Sequence, residues 1–281
     1  MSGEKNRDWN STAVGWHKWH SISEKAAQTV TETMFDMAEI SKGDRVIDFA
    51  TGIGDTAVAC ARRVGDTGYV LATDSARNML EFAERYAIKE RLENISFQRM
   101  DLDVLSVDEA NFDAGICRWG LMFAKDVVAS LSVIRSLLRP GGIFAAVVWG
   151  PPDRAEVHTL SNTVLMRTLD EPPIPTGKGT PFALSDRSKL EENFASAGYT
   201  NVESQTVSVF HDFQTAEDYA CYRRERSSIG DRISHRSELD QERAWASVVE
   251  AARERARPDR SVRFVSETIV VAGQNAVRQY F

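Results

Sequence analysis

Two rhythms of apolar and polar positions alternate between Arg45 and Trp149. Short runs of strand character occur at Arg45–Ala50, Tyr69–Thr73, Ile95–Met100, Phe112–Cys117 and Ile143–Trp149. Between them, Asp55–Val64, Asn78–Arg91 and Asp126–Leu138 carry apolar residues at helical spacing. Gly65 stops the first of these helices, and Arg139-Pro140-Gly141-Gly142 terminates the third. Upstream, Ala26, Val30, Met34, Met37 and Ala38 predict a helix up to Ile40, closed by the turn Ser41–Asp44. Downstream the rhythm loosens after Pro151-Pro152. Helices are predicted at Glu156–Leu169 and Asp186–Ala197, strands at Val202–Phe210 and Val262–Ala272, a Pro/Gly-rich loop at 171–181, and charged helical chain at 212–258. The pattern predicts an α/β fold: a doubly wound, seven-stranded, mostly parallel sheet with helices on both faces and a helical lid. The segments 1–40, 151–184 and 212–258 are candidates to cover one site.

Composition narrows the class. The chain has 281 residues and a formal net charge of −7, is 42% hydrophobic and 27% charged, and has no internal repeat. These values suit a globular protein with a sizeable core. Three scattered cysteines, Cys60, Cys117 and Cys221, indicate neither a disulfide framework nor a zinc knuckle, so a reduced, cytoplasmic protein is expected. The start, Met1-Ser2-Gly3-Glu4-Lys5, lacks the apolar stretch of a signal peptide, and no apolar run is long enough to span a bilayer. The acidic balance argues against a general nucleic-acid binder. Arg253-Glu254-Arg255-Ala256-Arg257 lies in a region where arginines and acidic residues nearly balance, and reads as a solvated helix face.

The most informative stretch is Val46-Ile47-Asp48-Phe49-Ala50-Thr51-Gly52-Ile53-Gly54-Asp55, a strand that ends in Gly-x-Gly and opens a helix. Such a turn lets a ligand lie against bare backbone at the carboxyl edge of the sheet. Two ligands compete. Gly52-x-Gly54-x-x-Ala57, with Asp74 at the end of the next strand, satisfies a dinucleotide fingerprint. Asp48, however, sits just before the turn, where a carboxylate repels a pyrophosphate and welcomes the ammonium and sulfonium of S-adenosylmethionine (SAM). Asp101, with Leu102, follows the third strand and can receive an adenine edge. Each aspartate alone also reads as a helix N-cap or a solvated turn. Three at successive strand ends favour a ligand site.

Residues 45–149 resemble a class I SAM-dependent methyltransferase of the UbiE/MenG-like, type 11 kind. The motifs are Val46–Asp55, Thr73-Asp-Ser-Ala-Arg-Asn-Met-Leu80, Arg99-Met-Asp-Leu102, Phe112–Phe123 and Leu137-Leu-Arg-Pro-Gly-Gly142. A softer similarity extends to Trp16-His17-Lys18-Trp19 and Val262-Arg-Phe. The resemblance implies a Rossmann-like SAM-binding core at 41–150, an N-terminal helical lid at 1–40, and the rest of the core sheet with lid insertions at 151–281. It implies that Asp48, Ala50 and Gly52 line the methionyl end of SAM. Asp74 then binds the ribose hydroxyls, with Ser75 and Met79 beside the adenosine. Asp101 and Leu102 hold the adenine, and Cys117-Arg118 lies beneath the sulfonium. Ala50 stands where the family has its first glycine, a methyl tolerated if φ stays negative.

Methyl transfer from a sulfonium needs positioning, a dry site and, for an acidic acceptor, a base; no metal is expected. Cys117-Arg118-Trp119-Gly120 replaces the Pro-Pro-aromatic motif of enzymes that methylate nucleobase or glutamine amino groups, and scattered cysteines do not suggest arsenite methylation. A small-molecule acceptor remains, with a carbon or oxygen acceptor in quinone or secondary metabolism favoured by the resemblance. His17, His20 and His211 are candidate bases. Trp16, Trp19, Trp119, Met122, Tyr219 and Tyr222 are candidate substrate contacts. Trp9, Trp16 and Trp19 serve equally well as staples for an N-terminal helix. Arg118 either binds a carboxylate at the site or pairs with Asp113 or Asp126. The expected partner is a methyl acceptor, without nucleic acid or membrane, and a homodimer is left open. Two other functions remain: an NAD-dependent oxidoreductase, which lacks a visible proton relay after the fourth strand, and a SAM-binding regulatory protein without turnover.

Overall fold

The computed structural model describes residues 8–104 and 109–276; the N-terminal five residues read above lie outside them. Seven strands form one sheet: β1 (Arg45–Phe49), β2 (Tyr69–Asp74), β3 (Ile95–Arg99), β4 (Phe112–Arg118), β5 (Leu138–Trp149), β6 (Tyr199–Phe213) and β7 (Val262–Asn275). Their order is β3-β2-β1-β4-β5-β7-β6. β1 pairs in parallel with both β2 and β4, whereas β7 runs antiparallel between β5 and β6. The doubly wound, mostly parallel sheet expected from the alternation is therefore present. The order reverses between β1 and β4, which places a crevice at their carboxyl ends, directly past Phe49 and Arg118.

Helices α1 (Trp9–Lys18) and α2 (His20–Met37) open the described chain. α3 (Asp55–Val64) and α4 (Arg77–Lys89) connect β1, β2 and β3, and α5 (Val127–Leu137) connects β4 to β5. α3 buries Ala57, Cys60, Ala61 and Val64, an apolar face at helical spacing, and Asp126 caps α5 through the N–H of Ala129. Beyond β5 come α6 (Glu156–Thr168) and α7 (Arg187–Ser196), then α8 (Ala216–Arg226), α9 (Ile229–Ile233) and α10 (Glu238–Arg253) between β6 and β7. Thr215 and Asp218 form a reciprocal capping box at the start of α8.

Three expectations change. Residues 20–37, read as part of a lid, form a helix that packs on β5, β6 and β7, because Ala27, Val30, Met34 and Phe35 make a buried stripe. The segment 139–142, read as a terminator, is drawn into β5: Leu138 pairs with Phe112 across a register shift. β6 extends to Phe213 because its pairing with β7 continues through His211, Asp212 and Phe213. Among the described residues no helix is long and apolar enough to cross a membrane.

The turn after β1 is built around close approaches. Ala50 has φ +53°, so the methyl is carried at positive φ and not at the negative value expected. Gly120, which follows β4, makes room for it: a Cβ there would lie 2.4 Å from the Ala50 Cβ and 2.9 Å from the Cys117 Sγ. Gly120→Ala is therefore expected to destabilise the fold by about 1–3 kcal/mol. Ala50→Gly in the same chain should recover part of that loss, because the nearer obstacle is gone. A double-mutant cycle by denaturant unfolding measures the coupling; strictly additive effects would show that the two residues do not compete for this space.

Candidate functional site

The carboxyl ends of β1, β2 and β4 meet at the turn Ala50–Gly54. Asp74, the last residue of β2, reaches across: its Oδ2 accepts from the Gly52 N–H (2.8 Å) and its Oδ1 from the Ala76 N–H (2.8 Å). Burial pushes the Asp74 carboxyl up, and the backbone donors of Ala76, Gly52 and Ser75 pull it back. Asp48 is 1% exposed and accepts from the Thr51 hydroxyl (2.7 Å). Burial raises its pKa to about 7, opposed by Thr51 and Arg118 and reinforced by Asp74 and Asp55. The backbone at Gly52 is uncovered, since a Cβ built there meets nothing within 4 Å.

An apolar floor lies beside the turn. Ile53, Ala76, Met79 and Ala13 form a buried cluster that Trp9, Trp16 and Phe82 pack against, so α1 lies over the turn. Ser75 and Asp101 line a cleft of about 250 Å³ with Arg99, Met100 and Val104, the last three not singled out as site residues from sequence. Asp101 is exposed and accepts from the Asp103 N–H, and Leu102 is half-buried beside it.

Arg118 closes the other side. Its Nη1 donates to Thr31 Oγ1 (2.6 Å), and its Nη2 lies 3.4 Å from Asp55 Oδ2. The partners considered from sequence are engaged elsewhere: Asp113 binds Arg139 and the Arg45 N–H, and Asp126 caps α5. Asp55, the first residue of α3, was not singled out from sequence, yet it also stands 2.6 Å from His20 Nε2. That carboxylate holds the imidazole pKa above its ordinary value.

Several other candidates are reassigned by their surroundings. His17 is exposed and stacks on Phe82 at 4.4 Å, on the outer side of α1. His211 is 2% exposed, and burial with the nearby Arg226 and Arg223 lowers its pKa to about 3, too weak a base for proton abstraction near neutrality. The Tyr219 hydroxyl is consumed by structure, donating to Val157 O and accepting from the Ser161 N–H, both at 3.1 Å. The indole N–H of Trp19 donates to Glu225 on α8 (2.6 Å), making that tryptophan a staple between helices. Cys117 is buried behind Gly120, with its thiol pushed up to about 12 by burial, and offers the site no open side chain. Met122 is buried and faces a second cleft, beside Lys125, Asp126 and Leu184. Trp119 stacks on Trp149 with ring centroids 4.7 Å apart, and Tyr222 meets Trp19 edge-on at 6.1 Å. Trp16 carries the Arg226 guanidinium over its ring at 3.6 Å. Among the described residues no group of three or more His, Cys, Asp or Glu is placed to hold a metal ion.

Comparison with known proteins agrees with the architecture. Residues 46–142 match the methyltransferase domain family. The chain is 32% identical over 124 residues to a 2-phytyl-1,4-naphtoquinone methyltransferase of Nostoc punctiforme, a match covering 44% of this chain and 54% of that protein. It is 24% identical over 193 residues to a demethylmenaquinone methyltransferase of Staphylococcus saprophyticus, covering 65% and 81%. The chain thus spans about half the length of the first of these relatives. In three dimensions it superposes on the YcgJ protein of Bacillus subtilis with a TM-score of 0.57 at 18% identity, covering 89% of this chain and 99% of that one. This last likeness is one of fold.

The buried Asp48 carboxyl makes a pH-dependent prediction. Its folded pKa lies above the ordinary carboxyl value of 3.8, so the stability it contributes is full below about 3.8, falls as pH rises from there, and is gone once pH has passed about 7. Asp48→Asn should gain on the parent between pH 5 and pH 7 and keep a constant advantage above that, so that its margin is larger at pH 8 than at pH 5 by on the order of a few kcal/mol in the ligand-free protein. Equal melting differences at both pH values would place an ordinary carboxyl at position 48.

Proposed function

With a class I, UbiE-like methyltransferase domain over residues 46–142, we propose that the protein transfers a methyl group from SAM to a carbon or oxygen atom of a small organic acceptor. Quinone metabolism is the setting that the relatives' names favour. The observation that carries the reading is the pair of buried carboxylates, Asp48 and Asp74, flanking an uncovered glycine turn. A diphosphate would meet both negative charges. A sulfonium and an ammonium would be stabilised by Asp48, and a ribose diol can donate to the remaining lone pairs of Asp74. The floor of Ile53, Ala76 and Met79 suits an adenosine, whose base reaches the cleft beside Ser75, Asp101 and Leu102.

The chain's own contribution is mainly positioning, worth about 7–11 kcal/mol in well-oriented systems. Helix α1 excludes water above the turn. Arg118, neutralised by Asp55, braces α2 and α3 at the strand end. Among the three candidate histidines, His20 alone has a carboxylate behind its imidazole, the arrangement that orients a proton acceptor. It is the residue we assign to deprotonation where the acceptor loses a proton.

Calorimetric titration of the intact chain tests the cofactor. SAM and S-adenosylhomocysteine should bind and NAD should not, and Asp74→Ala should weaken both nucleosides at least tenfold. Undiminished SAM affinity in that variant would remove the ribose contact. Binding of NAD in preference to SAM would return the site to the oxidoreductase reading.

A further inference from the structure

The helix that packs against α1 carries buried positive charge. Arg223 and Arg226 stand one helical turn apart on α8, only 5% and 7% exposed. Neither forms an ion pair with a carboxylate of the described residues, although the surface arginines of the same region do, Arg224 with Glu242 and Arg253 with Glu250. Arg223 rests on neutral groups: its Nε donates to Ser161 Oγ (3.0 Å), its Nη2 to Asn162 Oδ1 (3.3 Å), and its Nη1 lies 3.0 Å from His158 Nδ1. Arg226 lies over the faces of Trp16 (3.6 Å) and Tyr222 (4.4 Å), and its buried Nε has no hydrogen-bond partner.

A guanidinium cannot shed its proton, and burying one without a counter-charge costs several kcal/mol. Cation–π contact with two rings offsets part of that cost. The indole nitrogens Trp16 Nε1 and Trp119 Nε1 are also buried without a partner. All three unbonded atoms are donors that cannot accept, so they call for an acceptor; Asp55 and Tyr222 act on Arg226 from nearby, but no carboxylate of the described residues stands at ion-pair distance, and a bound anion would supply that partner. His211, between Tyr222 and Trp149, adds no positive charge because burial keeps it neutral, and its Nδ1 is likewise buried without a partner.

Position ties this cluster to the crevice. Gly15 of α1 lies so close to the Glu225 carbonyl that a Cβ would come within 2.1 Å, and this approach brings Trp16 onto Arg226. Ring contacts then run from Tyr222 to His211 (6.0 Å), His211 to Trp149 (6.2 Å) and Trp149 to Trp119 (4.7 Å), ending at the residue after Arg118. A run of rings between the guanidinium and the crevice suits an aromatic molecule, and the guanidinium fork suits a carboxylate.

We propose that Arg226, with the indole N–H of Trp16 beside it, binds the carboxylate of an aromatic molecule, which is the methyl acceptor. The identification as acceptor rests on the methyl-transfer reading; the anion site does not. The test titrates the intact chain with 1-naphthoate and the neutral isostere 1-naphthamide, by tryptophan quenching and calorimetry, with and without S-adenosylhomocysteine. Naphthoate should bind at least tenfold more tightly than naphthamide. Arg226→Gln should abolish the preference, and Arg226→Lys should keep part of it. If Arg226→Gln fails to fold, Trp16→Phe retains the ring, removes one donor and should narrow the preference. Equal affinities in the parent, no naphthoate binding, or an unchanged ratio in the variants overturns the anion site. Failure of S-adenosylhomocysteine to bind while the preference persists overturns the methyl-transfer reading and leaves the anion site standing.

Discussion

The carboxylate of Asp74 joins two strand exits that would otherwise be independent. One oxygen receives the N–H of Gly52 in the turn after β1, and the other receives the N–H of Ala76 at the start of α4. Both donors are backbone groups left without partners where a strand gives way to a helix, and a buried one must be satisfied. By meeting both, Asp74 sets the distance between the glycine turn and the α4 entrance. The apolar floor formed by Ile53, Ala76 and Met79 follows from that spacing, as does the seat for α1.

Charge is divided across the crevice. On the side of β1 and β2 stand Asp48 and Asp74, buried carboxyls held above their ordinary pKa by desolvation. On the side of α8 stand Arg223 and Arg226, buried guanidinium groups without an acidic partner among the described residues. Asp55, with Arg118 and His20 around it, lies between the two fields and is internally balanced. Neither extreme is a stable choice for an interior on its own. Their separation suits two ligands of opposite charge brought together, a cationic methyl donor and an electron-rich acceptor, and the stability given up at each end is the usual mark of a binding site.

The helices that cover the crevice come from distant parts of the chain. α1 and α8 are locked by Glu225, which receives both the Lys18 ammonium (2.7 Å) and the Trp19 indole N–H, and by the absence of a side chain at Gly15. Trp16 on α1 and Trp19 just past its end therefore divide their work. Trp19 staples the helices together, whereas Trp16 turns its face to Arg226.

Local patterning by itself determined the sheet-and-helix alternation, the glycine turn and its three aspartates. Strand runs of period two, helix stripes and Gly stops depend on neighbours in sequence, and the parallel order follows from crossover geometry. The same patterning misjudged residues 20–37, whose apolar stripe is equally compatible with a lid and with the sheet layer it joins. It also could not rank three histidines: His17, His20 and His211 differ in burial and partners, not in local sequence. Only the tertiary structure decided that Asp55 meets His20 and Arg118, that Gly120 makes room for the Ala50 methyl, and that Arg226 is buried against Trp16 without an acid. Each of those facts depends on residues 35 to 210 positions apart in the chain, and on a desolvation that exists only once the helices have closed over them.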